Sequence, residues 1–470
     1  MSEKKYLKWY NKVGYGTGDI AGNVAYAFVT FFVMIYLTDV QGMNAGIVGT
    51  LMMVSKLFDG VSDVIFGVLM DKTHSKMGKA RPWMFWAFFG CAAMIIALFA
   101  IPTSLGDTAK YAWFFIAYTL LNAVFFTPNN IAYGALTALI TKNANERVQM
   151  GSIRFIFAFG TNLVIQAATV GAVDALGGGA EGWRALAIIY ALVGIVSNSL
   201  AVFSVRELSP AELADEGAGT GDSQIPLKES LQLLLANRYY VLLVVVFIIM
   251  QLFGALNGMG IYFMTYVLHD ANLLGAFAWA SNIPQMIALI ALPFVVAKVG
   301  NMQHVDLWGY VIAITARIGI IIGGYMTNVP LMLSFTAIAM LGASALQGTL
   351  TALIAEASEY TYLRSGKRLD GLMFSCTSLG TKIGGGLGTA LSGWLLSAAG
   401  YISTTAGQTV TQPHSVITML QISYLWLPTI AFVIIVVIVY FLDVEKVNQR
   451  LRDQACSPRG AVSISGRGIH

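Results

Sequence analysis

The chain has 470 residues, of which 57% are hydrophobic and 11% are charged. Soluble domains carry roughly 25% charged residues, and the mean hydropathy here is +0.69. This composition excludes a soluble enzyme and predicts an all-α membrane protein. The net charge of +4 is small, and we expect no nucleic-acid partner.

Apolar runs long enough to cross a bilayer recur along the whole chain. A transmembrane helix needs about 20 mostly apolar residues, and we count twelve such runs. They lie near residues 14–38, 44–70, 82–102, 111–140, 151–173, 183–205, 239–268, 272–297, 304–326, 329–356, 371–400 and 416–442. The longest polar interruption falls after the sixth run, and it has too few apolar residues to fold by itself.

Twelve transmembrane helices in two six-helix halves are typical of the major-facilitator architecture. Lys and Arg concentrate in alternate connections, which predicts a cell-membrane protein with both termini in the cytoplasm. Only Lys110 and Arg184 fall in the predicted outer loops. The predicted segments are the cytoplasmic N-terminus (1–13), the N-terminal half (14–205), a cytoplasmic linker (206–238), the C-terminal half (239–442) and a cytoplasmic tail (443–470).

The second span carries three charged residues on one helical face, Lys56, Asp59 and Asp63. A charge at a helix centre in lipid costs at least about 2.5–3.5 kcal/mol, so such residues usually pair or line a water-filled path. Neighbouring carboxylates repel unless they share a proton or a cation, and hard cations prefer oxygen ligands. We therefore expect Asp59 and Asp63 to bind a coupling ion, Na⁺ or H⁺. The alternative is a structural Lys–Asp pair with the second carboxylate facing a loop.

Two other spans carry stripes of polar and aromatic side chains. The stripes are Asp19, Asn23 and Tyr26 in the first span, and Asn122, Phe126, Asn130, Tyr133 and Thr137 in the fourth. Amides and carboxylates hydrogen-bond hydroxyl groups, and aromatic rings offer a flat apolar surface to a sugar ring. The stripes predict a carbohydrate site. For each residue alone, helix–helix hydrogen bonding or packing is the alternative.

The eleventh span places Ser375, Ser378 and Lys382 on one face. Because Lys382 is deep within an apolar run, it needs an anionic partner, and Asp59 or Asp63 is the candidate. A static ion pair is the alternative to a functional role.

Glycines at 380, 384 and 388 in the same span predict close helix approach. At the start of the fifth span, Arg154 either clamps a substrate or extends to the lipid headgroups. The sequence contains no phosphate-binding glycine loop, His/Cys metal cluster or Ser/His/Asp arrangement above chance. We therefore predict no enzymatic activity, no cofactor and no metal beyond Na⁺ at the two carboxylates.

Six motifs carry a resemblance that extends over nearly the whole chain. They are YGTGDIAGN, YLTDVQG, KLFDGVSDVIFG, DKTHSKMGKARPW, NNIAYGAL and EYTYLRSGKRLDG. In these motifs the chain resembles the glycoside–pentoside–hexuronide cation symporters, the family of melibiose and glucuronide permeases. The resemblance implies a secondary transporter that takes up a sugar with Na⁺ or H⁺ by alternating access.

The resemblance also implies roles for individual residues. Asp59 and Asp63 match the cation-site carboxylates. Asn23 and Asn130 stand where the melibiose permease carries two sugar-binding aspartates, and asparagine at these positions resembles the glucuronide permease. Asn130 is a candidate in both the cation and the sugar site. The full expected sugar site is Asp19, Asn23, Tyr26, Phe126, Asn130, Tyr133, Arg154, Ser378 and Lys382.

Two motifs leave alternatives open. Ala132 replaces the family's proline, which puts the local helix bend in doubt. Lys79 and Arg81 fit a cytoplasmic gate, with ordinary topogenic charge as the alternative.

The expected partners are a sugar or glycoside, a coupling cation and membrane lipid, and the chain is expected to act as a monomer. Neutral or anionic glycosides should be tolerated better than cationic ones. An exporter of amphipathic compounds is the second hypothesis, and a membrane sensor is the third.

Overall fold

The computed structural model describes residues 5–208, 227–367, 373, 377, 380–405 and 410–456. These residues are mostly helical, and they include eleven helices long and apolar enough to cross a membrane. The twelfth predicted run, 371–400, lies partly outside the described residues. Its described part contains the helix Gly385–Ala398. The fold class predicted from the apolar runs is therefore confirmed.

We number the α-helices in chain order. The first seven are α1 (Trp9–Asp39), α2 (Ala45–Asp71), α3 (Arg81–Leu98), α4 (Asp107–Thr119), α5 (Thr127–Ile140), α6 (Ala144–Ala175) and α7 (Gly179–Ser204). The others are α8 (Leu227–Ala236), α9 (Arg238–Leu256), α10 (Gly260–Tyr266), α11 (Leu273–Val299), α12 (Met302–Tyr325), α13 (Val329–Ser365), α14 (Gly385–Ala398), α15 (His414–Gln421), α16 (Leu427–Tyr440) and α17 (Val444–Cys456).

Among the described residues, wider helical turns occur in three of the spans. The π-helical segments are Leu120–Phe126 between α4 and α5, Gly380–Gly384 before α14, and Ile422–Trp426 between α15 and α16. Such segments often occur at functional sites. The first of them ends two residues before Pro128. The fourth span, which lacks the family's proline at Ala132, is therefore still irregular about one turn before that position.

Contacts group the chain into two compact units. Unit 1 comprises residues 1–218, 254–279 and 385–424, and unit 2 comprises 219–253, 280–384 and 425–470. This grouping follows packing, and the division into sequence halves stays a prediction.

Unit 1 is built around α1, which packs against α6 and α7. A cluster of stacked rings fills part of its core, with Phe28 and Phe99 centroids 4.1 Å apart and Phe99 and Trp183 centroids 5.8 Å apart. Helix α14 packs closely on α2. A Cβ atom at Gly393 would lie 2.3 Å from the carbonyl oxygen of Ala45, so this approach requires glycine.

In unit 2, Gly384 allows the approach that the glycine spacing predicted. A Cβ atom there would lie 2.3 Å from the carbonyl oxygen of Ile248. The predicted linker also contributes to this unit, because α8 forms within it and Leu234 is buried. Asn237 then anchors the end of α8 by donating to the carbonyl oxygen of Ala357 at 2.8 Å.

A buried carboxylate ties the start of the chain to α6. Glu146 accepts hydrogen bonds from the backbone N–H groups of Tyr6 and Leu7, both at 3.1 Å, and from Thr141 Oγ1 at 2.7 Å. Lys12 Nζ lies 3.4 Å away. Burial alone would raise the pKa of Glu146, but the hydrogen bonds and Lys12 outweigh burial and lower it.

We predict a pH-dependent loss of stability in Glu146→Gln. A lowered carboxyl pKa stabilises the folded state above the unfolded value of about 4.3, and this contribution is lost as pH falls through the folded pKa. The variant should therefore be less stable at pH 7, by roughly 1–3 kcal/mol, and should approach the parent below about pH 4. Melting in detergent between pH 7 and pH 3 measures this. Glu181→Gln, at an exposed position in α7, is the control, and a pH-independent difference would contradict the prediction.

Candidate functional site

Unit 1 places an arginine and an aspartate from different helices in direct contact. Arg154 Nε on α6 donates to Asp19 Oδ2 on α1 at 2.8 Å, and Nη2 lies 3.4 Å from Oδ1. The side chains are 29% and 13% exposed. Of the two roles expected for Arg154, this placement favours an internal contact over extension to the headgroups.

Tyr133 on α5 completes this cluster. Its hydroxyl donates to Asp19 Oδ2 at 2.7 Å, and its ring centroid lies 4.2 Å from the Arg154 guanidinium carbon. The ring is held by Tyr15, which is fully buried with a centroid 4.7 Å away. Tyr15 in turn lies 2.6 Å from Thr137 Oγ1 through its hydroxyl. Asp19 and Tyr133 thus hold Arg154 directly, Tyr15 holds Tyr133 in place, and Thr137 holds Tyr15.

The remaining expected sugar-site residues of unit 1 are more accessible. Asn23 donates to the backbone oxygen of Asp19 at 2.8 Å and is half-buried. Tyr26 is 51% exposed, Phe126 is half-buried and Asn130 is exposed. Amide groups in this setting can donate to and accept from sugar hydroxyls.

A second polar cluster surrounds Asp59 on α2. Thr127 Oγ1 donates to Asp59 Oδ1 at 2.6 Å, and Lys56 Nζ lies 3.8 Å from Oδ2. Lys56 also lies 3.4 Å from Asn122 Oδ1. Asp63 is half-buried one turn along the same helix. Carboxylate and hydroxyl oxygens are suitable ligands for a hard cation, and no group of three His, Cys, Asp or Glu residues that could hold a metal occurs in the described ranges.

Two expected residues belong to the eleventh span. Lys382 is half-buried within the π-helical segment of unit 2. Ser378 lies outside the described residues. The pairing of Lys382 with Asp59 or Asp63 stays a prediction.

The expected gate residues lie at the start of α3, where Arg81 is the first helical residue and Lys79 precedes it. The backbone N–H groups of Lys79 and Arg81 donate to Glu207 at 2.7 and 2.9 Å, and Arg81 Nε donates to the carbonyl oxygen of Val202 at 2.8 Å. Glu207 therefore caps this helix through its backbone N–H groups. The Lys79 side chain is exposed. A gating role for the two residues stays a prediction.

Sequence reasoning missed Asp39, at the end of α1. Its carboxylate accepts hydrogen bonds from the Tyr266 hydroxyl at 2.6 Å, the Tyr401 hydroxyl at 2.5 Å and Thr38 Oγ1 at 2.7 Å. The Tyr266 and Tyr401 hydroxyls are 3.1 Å apart. We call Asp39, Tyr266 and Tyr401 the Asp39 cluster. It joins all three sequence segments of unit 1.

Backbone contacts reinforce this junction. The N–H of Thr404 donates to the carbonyl oxygen of Thr38 at 2.8 Å, and Ser403 Oγ donates to that of Met43 at 2.7 Å. Asp39 stands in the motif YLTDVQG, but its tyrosine partners lie more than 220 residues away, and no spacing rule connects them.

We predict that Asp39→Asn destabilises unit 1. Asparagine has one acceptor oxygen and no charge, so it cannot satisfy both tyrosine hydroxyls as the carboxylate does. Hydrogen bonds to charged groups contribute about 1.5–3 kcal/mol each, and the melting temperature in detergent should fall accordingly. Asp107→Asn, at an exposed position in α4, should change stability by no more than about 1 kcal/mol. Equal melting of Asp39→Asn and the parent would show that the cluster contributes nothing.

Comparisons with known proteins extend over nearly the whole chain. The model of the family described as MFS/sugar transport protein matches residues 14–446. The isoprimeverose transporter of Lactiplantibacillus pentosus is 26% identical, with 95% of this chain and 91% of the relative covered. The glucuronide carrier protein homolog of Escherichia coli (strain K12) is 28% identical, with 84% and 85% covered.

The fold has solved counterparts as well. A bacterial homolog of the human lysosomal transporter Spinster, in an inward-facing and unoccupied conformation, superposes with a TM-score of 0.65 at 14% identity, covering 95% of this chain and 98% of that one. At this identity the likeness concerns the fold alone. From the family match, which confirms the resemblance seen in the motifs, the chain belongs to the MFS/sugar transport protein family and is a multi-pass membrane transporter, not an enzyme.

Proposed function

We propose that this protein takes up a glycoside, pentoside or hexuronide together with Na⁺ or H⁺ by alternating access. It acts in the cell membrane with both termini in the cytoplasm. The cation binds at Asp59 and Asp63, with Thr127 and Asn130 as further oxygen donors. The sugar binds beside Asp19, Asn23, Tyr26, Phe126, Asn130, Tyr133 and Arg154, with Ser378 and Lys382 contributed by the eleventh span.

The observation that carries cation coupling is the contact set of Asp59. One carboxylate oxygen of Asp59 accepts a hydrogen bond from the Thr127 hydroxyl, and the Lys56 ammonium is 3.8 Å from the other oxygen. This ion pair is long, so a small cation can compete with Lys56 for the Asp59 carboxylate. A cation held by Asp59 and Asp63 gains Coulomb attraction at close range.

The polar character of the sugar site supports sugars over amphipathic compounds. An exporter of amphipathic molecules requires mostly apolar walls, whereas Asp19, Asn23, Asn130 and Arg154 offer hydrogen-bonding groups. Tyr26 adds an accessible ring of the kind that packs on the C–H face of a sugar.

Alternating access requires contacts that close one end of the transport path and later break. Lys79 and Arg81 are the candidates for such a closure at the cytoplasmic end. Lys382 would compete with the cation for the carboxylates of α2.

We predict that Asp59→Asn and Asp63→Asn each abolish gradient-driven accumulation while sugar binding or downhill exchange persists. Removing a carboxylate removes a cation ligand and the charge that couples ion binding to the conformational change. Uptake of radiolabelled glycosides into proteoliposomes, with imposed Na⁺ or H⁺ gradients, measures accumulation and identifies the ion. Asp174→Asn, at an exposed position in α6, is the matched control. Normal accumulation in both variants would refute the cation site.

We predict that Asn130→Ala weakens sugar binding by roughly 1–3 kcal/mol, because substrate hydroxyls lose a hydrogen-bond partner. Asn23→Ala should have a similar effect. Titration calorimetry with the transported sugar measures both, and melting temperatures close to that of the parent separate lost binding from lost folding. Unchanged affinity in both variants would remove the two asparagines from the site.

A further inference from the structure

Arg154 holds an internal carboxylate in the way that arginines hold acidic ligands. Two of its nitrogens face the two oxygens of Asp19, at 2.8 and 3.4 Å. Paired N–H···O contacts of this kind are the geometry by which a guanidinium recognises a carboxylate. The side chain that an acidic sugar would need is therefore engaged by the protein itself.

The pair is also fixed in place. Tyr133 donates to the same Asp19 oxygen that Arg154 contacts, at 2.7 Å, and its ring stacks on the guanidinium. Tyr15 holds Tyr133 through reciprocal contacts, with its own hydroxyl 2.8 Å from the Tyr133 backbone oxygen. Releasing Arg154 to a ligand would leave the Asp19 carboxylate partly buried beside two aromatic rings without its cation, which is strongly unfavourable.

The Asp19 carboxylate also disfavours an acidic ligand directly. It lies 2.8 Å from the Arg154 guanidinium, so an acidic sugar that approached Arg154 would bring a second carboxylate beside Asp19. Like charges brought together at a binding site cost several kcal/mol. A neutral sugar meets no such penalty and can still hydrogen-bond to Asp19, Asn23 and Asn130.

We propose that Asp19 determines substrate charge: it occupies Arg154 as the carboxylate of an acidic sugar would, and so selects neutral glycosides over hexuronides. This inference rests on the proposed function and narrows its substrate class. Specificity then comes from repulsion of the wrong ligand as much as from attraction of the right one. Removing the charge of Asp19 should free Arg154 for an acidic sugar.

The test compares sugars that differ at C6, where one member of a pair carries a neutral hydroxymethyl group and the other a carboxylate. The probes are p-nitrophenyl glucoside against glucuronide and galactoside against galacturonide, with isoprimeverose as a neutral disaccharide. Affinities are measured by titration calorimetry on the full-length protein in detergent with Na⁺ present. The parent should bind the neutral member of a pair at least about tenfold more tightly than the acidic member. Equal or tighter binding of the acidic member by the parent overturns the inference without any variant.

Asp19→Asn should reduce this preference at least about tenfold by strengthening acidic-sugar binding. The double variant Asp19→Asn with Arg154→Gln should lose that gain, because the gain depends on the released guanidinium. Asp19→Glu keeps the negative charge and should keep the preference for neutral sugars. A folded Asp19→Asn protein with an unchanged ratio, or a gain that persists in the double variant, contradicts the role of Asp19.

Failure of the proposed function gives a different result. A parent protein that binds no sugar of either charge contradicts sugar transport and this inference together. A parent that accumulates neutral sugars and yet shows no change of charge preference in Asp19→Asn contradicts only the inference.

Discussion

The ion pair of Arg154 and Asp19 is the constraint around which the site in unit 1 is organised. A guanidinium in a membrane-spanning helix is unfavourable unless an opposite charge and hydrogen-bond acceptors surround it. Asp19 supplies the charge from α1, and Tyr133 supplies a ring and a hydroxyl from α5. Three helices are therefore held in a fixed register by the need to satisfy one side chain.

The ion pair of Lys56 and Asp59 differs from that of Arg154 and Asp19 in a way that bears on the proposed transport. Lys56 and Asp59 are 3.8 Å apart, against 2.8 Å for Arg154 and Asp19. Both partners of the longer pair lie on α2, so breaking it does not separate helices. A short pair between helices suits a structural role, whereas a long pair within one helix can yield its carboxylate to a competing cation.

Much of the fold could be predicted from the sequence because a lipid environment imposes a simple rule. A span requires about 20 apolar residues, and the predicted run 239–268 corresponds closely to the helical stretch Arg238–Tyr266. Side-chain clusters within one helix could also be predicted, since Lys56 and Asp59 are neighbours by helical spacing alone. What the composition did not indicate was the helix α8 within the linker, because its order depends on packing against residues that are distant in sequence.

The same limit applies to the site. Asp19, Tyr133 and Arg154 were expected to share a site, and the structure brings them together. The contacts of Asp39 with Tyr266 and Tyr401 could not be expected, because they join residues more than 220 positions apart. Thr127 was missed for another reason: it precedes Pro128 in a span where one uniform helical period was assumed, and its contact with Asp59 depends on how the helix runs there.

The π-helical segment of the fourth span changes what its polar stripe does. Asn122, Phe126, Asn130, Tyr133 and Thr137 were expected to line one face and one site. In the structure Asn122 lies beside Lys56, whereas Tyr133 contacts Asp19.

Because a π segment holds extra residues in its turns, side chains before and after it no longer follow a single helical period. The fourth span contacts both clusters. Thr127 and Tyr133 lie six residues apart on α5, a rise of about 9 Å, and they contact Asp59 and Asp19 respectively. In the proposed symport mechanism, this helical stretch of less than two turns is the covalent link between the cation site and the sugar site.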